Sequence, residues 1–402
     1  MGGMKNKISL NKIRRKLKIL KNTSRLLSVI VSWWMFLFLF TGCGKKQSLS
    51  AFIPGDTLQL QYAKNLSIVR YDGYTKVVLR NPWDTIHALH TYLLIPSGSL
   101  LPEALPGGTV VRVPLRNALV YSSVHCGLLE ELGTADAIGG VCDLSYIRLP
   151  YILERYEKNT LTDAGSSMNP NIEQIIDMHP DGILLSPFEN SGGYGAVEKL
   201  DIPLIECADY MENTALGRAE WMYFYGLLFG KETEADSLFT CIKRAYSTLS
   251  DSVKTSGLPR PSVICELKST SAWYVPGGNS TTARLISEAG ADYVFSYIPQ
   301  SGAVSLSFET VLDKGRQADF WLIKYNQKVD KTYVGLASDY APYTRFSAFA
   351  KHRIYGCNTA YVPFYEESPF HPELQLKDLI KIFHPDLLKD YKLRYYSPLK
   401  EE

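Results

Sequence analysis

The 402-residue sequence has no Cys-x-x-Cys pair, no His-x-x-x-His and no His-Glu-x-x-His. Those absences exclude a zinc ribbon, a thioredoxin-type dithiol and the common zinc-hydrolase helix. There is no Gly-x-Ser-x-Gly elbow, no Gly-x-Gly-x-x-Gly and no P-loop, so elbow hydrolases, dinucleotide enzymes and P-loop NTPases lose their signatures. The seven histidines, at positions 87, 90, 125, 179, 352, 371 and 384, are scattered. Two carboxylate pairs exist, Glu130-Glu131 and Glu366-Glu367. Neighbours on a helix diverge by about 100°, which suits no shared acid-base site. No catalytic constellation emerges, so the chain reads as a non-enzyme without a resident metal or cofactor.

Acidic residues are missing from the first 25 positions, which hold nine Lys or Arg, and Leu26 to Gly42 carry no charge. A basic stretch followed by an apolar run containing Trp33, Trp34 and Met35 to Phe40 has the layout of an export signal over 1–42. The run ends in Phe40-Thr41-Gly42-Cys43, which resembles a bacterial lipobox. Cys43 would then be the lipidated first residue of a mature protein tethered on the periplasmic side of a membrane. An uncleaved anchor is the competing reading, although 17 uncharged residues are short for a span. Removing nine of the 43 basic residues leaves 34 against 41 acidic, a net charge of −7. That charge argues against a nucleic-acid partner. Six cysteines follow Cys43, several in apolar runs such as Val263-Ile-Cys265. They read as buried thiols, and no pairing is assigned.

Asn171-Ile-Glu-Gln-Ile-Ile-Asp177 and Ser307-Phe-Glu-Thr-Val-Leu-Asp313 each open on a capping residue and carry a Glu two places later. Each leads into an apolar strand, Asp181-Gly-Ile-Leu-Leu and Asp319-Phe-Trp-Leu-Ile. The spacing predicts one helix-strand unit used twice, 136 residues apart, with Glu173 and Glu309 in matching first turns. A first-turn Glu complements the helix dipole by about 0.3–1 kcal/mol; its duplication suggests paired docking knobs. Short apolar strands alternate with helices on both sides of a helical stretch, Thr214 to Phe229 and Glu232 to Val253. This predicts an α/β protein of two Rossmann-like lobes joined by a long rigid helix. The expected divisions are a tether and β extension over 43–108, a first lobe over 109–213, connecting helices over 214–258 and a second lobe over 259–402. The hairpin signal Asp72-Gly73 belongs to the extension.

Ligands of open α/β sheets gather at the carboxyl ends of the strands. Lobe one offers Ser122, Ser123, His125, Asp143, Tyr146, Phe188, Glu189, Tyr194 and Tyr210 there. Lobe two offers Trp273, Tyr274, Gln300, Ser301, Lys324, Tyr325, Tyr361, Phe364, Tyr365 and Glu366. Large rings with polar tips suit a bulky, partly apolar ligand. The loops Ser191-Gly-Gly-Tyr-Gly195 and Val275-Pro-Gly-Gly-Asn279 either turn near that ligand or are plain turns.

Ser122-Ser-Val-His-Cys-Gly-Leu-Leu-Glu-Glu-Leu-Gly133, the segment Asn169 to Leu185 and Leu306-Ser-Phe-Glu-Thr-Val-Leu312 resemble the iron-complex and cobalamin periplasmic-binding family, the solute-binding lipoproteins of ABC importers. The resemblance spans roughly Leu119 to Leu388 and leaves 51–108 outside it. It implies a ligand between the lobes and two glutamates, here Glu173 and Glu309, that meet arginines of the permease dimer, which works with its ATPase. It implies an iron chelate, haem or corrinoid as ligand. With Lys324 the only basic residue among the cleft candidates, a corrinoid is slightly favoured. An exported enzyme on the same scaffold and a free-metal binder using His125, Glu189 and Glu366 are the alternatives.

Overall fold

The computed structural model describes residues 55–84, 86–189 and 193–402. The export segment, Cys43, the tether and part of the first glycine-rich loop lie outside the described residues. Among those described, no helix is long and apolar enough to cross a membrane.

Residues from Asp56 to Val113 form one five-stranded sheet in chain order: Asp56–Thr57, Leu66–Tyr71, Tyr74–Arg80, Ala88–Pro96 and Thr109–Val113. The hairpin turns at Asp72-Gly73, as expected, and the Tyr71 and Tyr74 rings flanking it stack at 4.9 Å. Alternation puts Leu66, Ile68, Val77 and Leu79 on the buried face. The sheet extends past the expected boundary at 108. Thr109–Val113 pairs in parallel with Ala88–Pro96, and an apolar run by itself names no strand partner.

The same folding unit follows twice. Lobe one has strands Ala118–Val120, Ile138–Val141, Gly182–Leu185 and Leu204–Glu206; lobe two has Ser262–Cys265, Asp292–Tyr293, Phe320–Tyr325 and Ile354–Asn358. Numbered within each lobe, both sheets run 4-3-1-2 and all of these pairs are parallel. The repeated helices Ile172–Met178 and Phe308–Gly315 each lead into strand three. Asn171 accepts the Gln174 N–H at 3.2 Å and Ser307 accepts the Thr310 N–H at 3.1 Å. Each helix buries one stripe, Ile175 in the first and Phe308, Val311 and Leu312 in the second. The duplication read from two heptapeptides is thus a duplication of topology.

Between the lobes the chain makes helices Ala215–Glu220, Met222–Phe229 and Glu232–Ser256. The last has 25 residues, about 37 Å at 1.5 Å per residue. Lobe contact is made elsewhere as well. The short helix Phe364–Glu367 of lobe two packs on Ser123–Glu131 of lobe one. A β-carbon at Gly127 would collide with the Glu366 carbonyl oxygen, so the close approach needs glycine.

Candidate functional site

The carboxyl ends of the lobe-one strands open into a cavity of about 760 Å3. Val120 leads to Tyr121 and Ser122, Val141 to Cys142 and Asp143, and Leu185 to Ser186 and Phe188, all in its wall. This is where strand order reverses around the first strand, the usual crevice of such sheets. The hairpin Gly165–Ser166 with Asn169–Pro170 closes one side. It holds Asp143 in place: Ser167 donates its hydroxyl to one carboxylate oxygen and its N–H to the other at 3.2 Å.

Four serines (Ser122, Ser123, Ser167, Ser186) and three tyrosines (Tyr121, Tyr146, Tyr194) supply the polar wall. Among the described residues no Lys or Arg lines it. The Tyr121 hydroxyl is buried without a hydrogen-bond partner, and burial raises its pKa. Burial also pushes the Cys142 thiol up to about 12, so it stays protonated. Around the rim Tyr146, Met168 and Phe188 stand 74%, 82% and 55% exposed. Large side chains thus stand in water around a cavity whose lining is mainly apolar with hydroxyls set into it.

Of the lobe-one candidates, Ser122, Ser123, Asp143, Tyr146, Phe188 and Tyr194 line this cavity. His125 and Tyr210 line a smaller pocket beside it, and exposed Glu189 lines neither. The lobe-two candidates line neither of them. Trp273 is fully buried, against Trp321 at 5.5 Å, while Tyr274 points out. A strand sends neighbours to opposite faces, which separates these adjacent rings. Phe364 is buried against Tyr395. Lys324 is paired with Glu266, Tyr325 accepts the Lys331 N–H at 3.0 Å, and the Tyr361 hydroxyl donates to the Lys328 carbonyl. Tyr361 and Tyr365 are exposed. The Val275 to Asn279 loop is a packed turn: β-carbons at Gly277 and Gly278 would collide with the Gln300 and Ser296 carbonyls.

The suggested metal set does not converge. The His125 ring is bonded to Asp209 at 2.9 Å, and Glu366 shares a hydrogen bond with Ser123. Among the described residues no three His, Cys, Asp or Glu side chains form a metal cluster. The six cysteines after Cys43 are free thiols, and all but Cys241 are buried.

The extension reaches the site from behind. Tyr194 donates to Glu206 at 2.7 Å, and the Glu206 N–H donates to Tyr92 of the extension at 2.8 Å. His90 stands 3.8 Å from the other Glu206 oxygen. Burial raises the Glu206 carboxyl and lowers His90, so both sites resist charging. Sequence reading missed this support, as it missed Tyr121, Ser167, Met168 and Ser186. Tyr121 and Ser186 had a signal, each as the first residue after a strand; Ser167 and Met168 depend on the hairpin fold.

His371 of lobe two bridges to lobe one. Its ring lies 2.6 Å from Glu131 and 2.9 Å from Glu373. Burial opposes its charge, but the two carboxylates outweigh that and lift its pKa to about 10. A raised histidine contributes stability fully below its unfolded value near 6.5, and that contribution is lost as pH rises through about 10. His371→Ala is expected to cost roughly 2 kcal/mol at pH 6 and progressively less toward pH 10.5. Denaturant unfolding of both proteins across that range measures it; a constant difference would remove the charge from the account.

Residues 120–361 match the family model for periplasmic binding proteins, and the chain belongs to that family, in its iron-complex and cobalamin branch. It is a solute-binding protein of the ABC-transporter type, built on the family's two-lobe fold with a helical connection. An uncharacterized lipoprotein of Methanocaldococcus jannaschii is 26% identical over 364 residues, covering 84% of each chain. Molybdate-bound MolA, the periplasmic binding protein of a Haemophilus influenzae ABC transporter, superposes with a TM-score of 0.56 at 15% identity, over 70% of this chain and 90% of its own. Staphylococcus aureus IsdE complexed with haem superposes with a TM-score of 0.52 at 17% identity, over 66% of this chain and 98% of its own. At such identities the structural likeness is one of fold.

Proposed function

We propose that this protein captures an iron chelate or a corrinoid in the lobe-one cavity and delivers it to an ABC permease. The carrying observation is the ring of exposed Tyr146, Met168 and Phe188 around a hydroxyl-lined cavity of about 760 Å3. That size falls in the roughly 300–1,000 Å3 range of small-molecule sites. A wall that among the described residues has Asp143 as its only carboxylate and no Lys or Arg favours a ligand whose body is neutral, such as a corrinoid, over a polyanionic chelate. The protein is held at the membrane by lipid on Cys43, a reading supported by the lipoprotein name of the archaeal relative. Glu173 and Glu309 form its contacts with the permease dimer.

Calorimetric titration of the non-lipidated protein with cyanocobalamin, haemin and a panel of ferric siderophores tests the ligand. One-to-one binding of a single class is expected, at micromolar Kd or tighter. Failure of every ligand would sink this reading. Tyr146→Ala and Phe188→Ala are each expected to weaken the bound ligand roughly tenfold, about 1.4 kcal/mol. Their unfolding midpoints should stay unchanged, because both rings already face water. Undiminished affinity in both variants would move the ligand out of this cavity.

A further inference from the structure

We propose that the small pocket beside the main cavity is an anion-accepting annex, in which Arg218, set over the His125–Asp209 pair, receives a carboxylate or phosphate carried on one limb of the ligand. The inference rests on reading the main cavity as the ligand site. The two spaces share Ser122, Ser186 and Phe188 as a common wall, and the annex measures about 260 Å3.

The charges differ sharply between the compartments. Among the described residues the main cavity has one carboxylate and no Lys or Arg in its wall. The annex has two basic side chains over a single carboxylate. Asp209 is 1% exposed and fully engaged: one oxygen receives His125 at 2.9 Å and the Tyr225 hydroxyl at 2.8 Å, and the other receives Arg218 Nε at 2.8 Å. Burial works against the Asp209 charge, but Arg218 and His125 hold it well below the usual carboxylate range. Burial also opposes charging His125, and the Cys207 sulphur and Asp209 lift the ring to about 10. Asp209 is thus satisfied by His125, Tyr225 and a single Arg218 nitrogen.

The rest of the Arg218 guanidinium faces the pocket. Arg218 spends only Nε on Asp209, and its Nη1 and Nη2 have no protein acceptor among the described residues. Its side chain is 25% exposed at the pocket wall while the carboxylate lies beneath. A planar guanidinium with a free edge is suited to two parallel hydrogen bonds from one carboxylate or phosphate. The Ser123–Glu131 helix also begins at this wall with no acid in its first turn, so its positive end adds to the same field. A ligand with a neutral body and one anionic limb matches both compartments, whereas a uniformly charged chelate matches neither.

The test uses full-length protein in detergent and two ligand pairs: haemin with its dimethyl ester, and cyanocobalamin with dicyanocobinamide, which lacks the phosphate limb. In wild type the anionic member of whichever pair binds is expected to bind at least about tenfold more tightly, the value of one charge-assisted hydrogen bond pair. Arg218→Gln is expected to erase that difference while leaving the anion-free member's affinity unchanged, and Arg218→Lys to restore part of it. Equal affinities in wild type, or a difference that survives Arg218→Gln, would overturn the annex. Thermal melts of both variants show whether the fold is retained. If none of the four ligands binds, the main cavity is judged by the ferric-siderophore titrations. The annex is then judged by inorganic phosphate titrated into protein labelled with 15N-arginine and 15N-histidine. A saturable shift of the Arg218 and His125 signals supports it, and no shift overturns it.

Discussion

Glu220→Ala is expected to lower the unfolding free energy by roughly 3–5 kcal/mol and to loosen residues 61–65 from the body of the protein. The Glu220 carboxylate is 2% exposed and accepts three backbone N–H groups, from Gln61 at 2.9 Å and from Tyr62 and Ala63 at 2.7 Å. Alanine leaves three donors facing a hole that no side chain can fill. Each buried unpaired donor costs about 1–3 kcal/mol. Glu212 repeats the device one stretch further on, accepting from Lys64, Asn65 and the Trp221 indole. The extension is therefore bonded to the start of the connecting helices by two buried carboxylates. Guanidinium unfolding and limited proteolysis between residues 58 and 66 check the prediction. Glu232→Ala is the contrast: it removes a pair with Arg70 whose side chains are 43% and 50% exposed, worth well under about 1 kcal/mol. Equal effects in the two variants would refute the account.

The second large effect concerns transport. The double variant Glu173→Ala with Glu309→Ala is expected to lose solute uptake in cells while ligand affinity in vitro stays the same. Both glutamates are exposed, both occupy the first turn of a capped helix, and among the described residues neither meets a cation. The two helices hold equivalent places in lobes of the same strand order. A matched acidic pair of this kind can meet a basic site on each of two permease subunits, where charge complementarity sets orientation and encounter rate. Losing the dipole contribution costs only about 0.3–1 kcal/mol per helix, so folding should survive. Asp177→Ala with Asp313→Ala, at the other ends of the same helices, is the control and should transport normally. Normal uptake by the glutamate double variant would end the docking proposal.

The parts of this protein legible in the sequence are those set by neighbours. Asn171 and Ser307 cap their helices through N–H groups three residues away. The hairpin at Asp72-Gly73, the helix reaching from Glu232 and the alternation inside each strand are equally local. From them the two lobes, their connection and the paired glutamates could be read. Strand ends are local features too, and six lobe-one residues chosen on that ground line one cavity. Lobe two shows the limit of the same reasoning. Trp273, Phe364 and Lys324 also lie at or near strand ends, yet each is consumed by packing or by an ion pair.

Sequence alone thus determined the fold class, the duplicated unit and the family, since helix caps and apolar periodicity act over three or four residues. Tertiary structure decided which strand Thr109–Val113 would join and that Glu212 and Glu220 would hold the extension. It also gathered His125, Asp209 and Arg218 around one pocket. These outcomes depend on groups brought together over tens of residues. Burial and hydrogen-bond saturation select among many possible partners there, and a linear pattern carries no record of that competition.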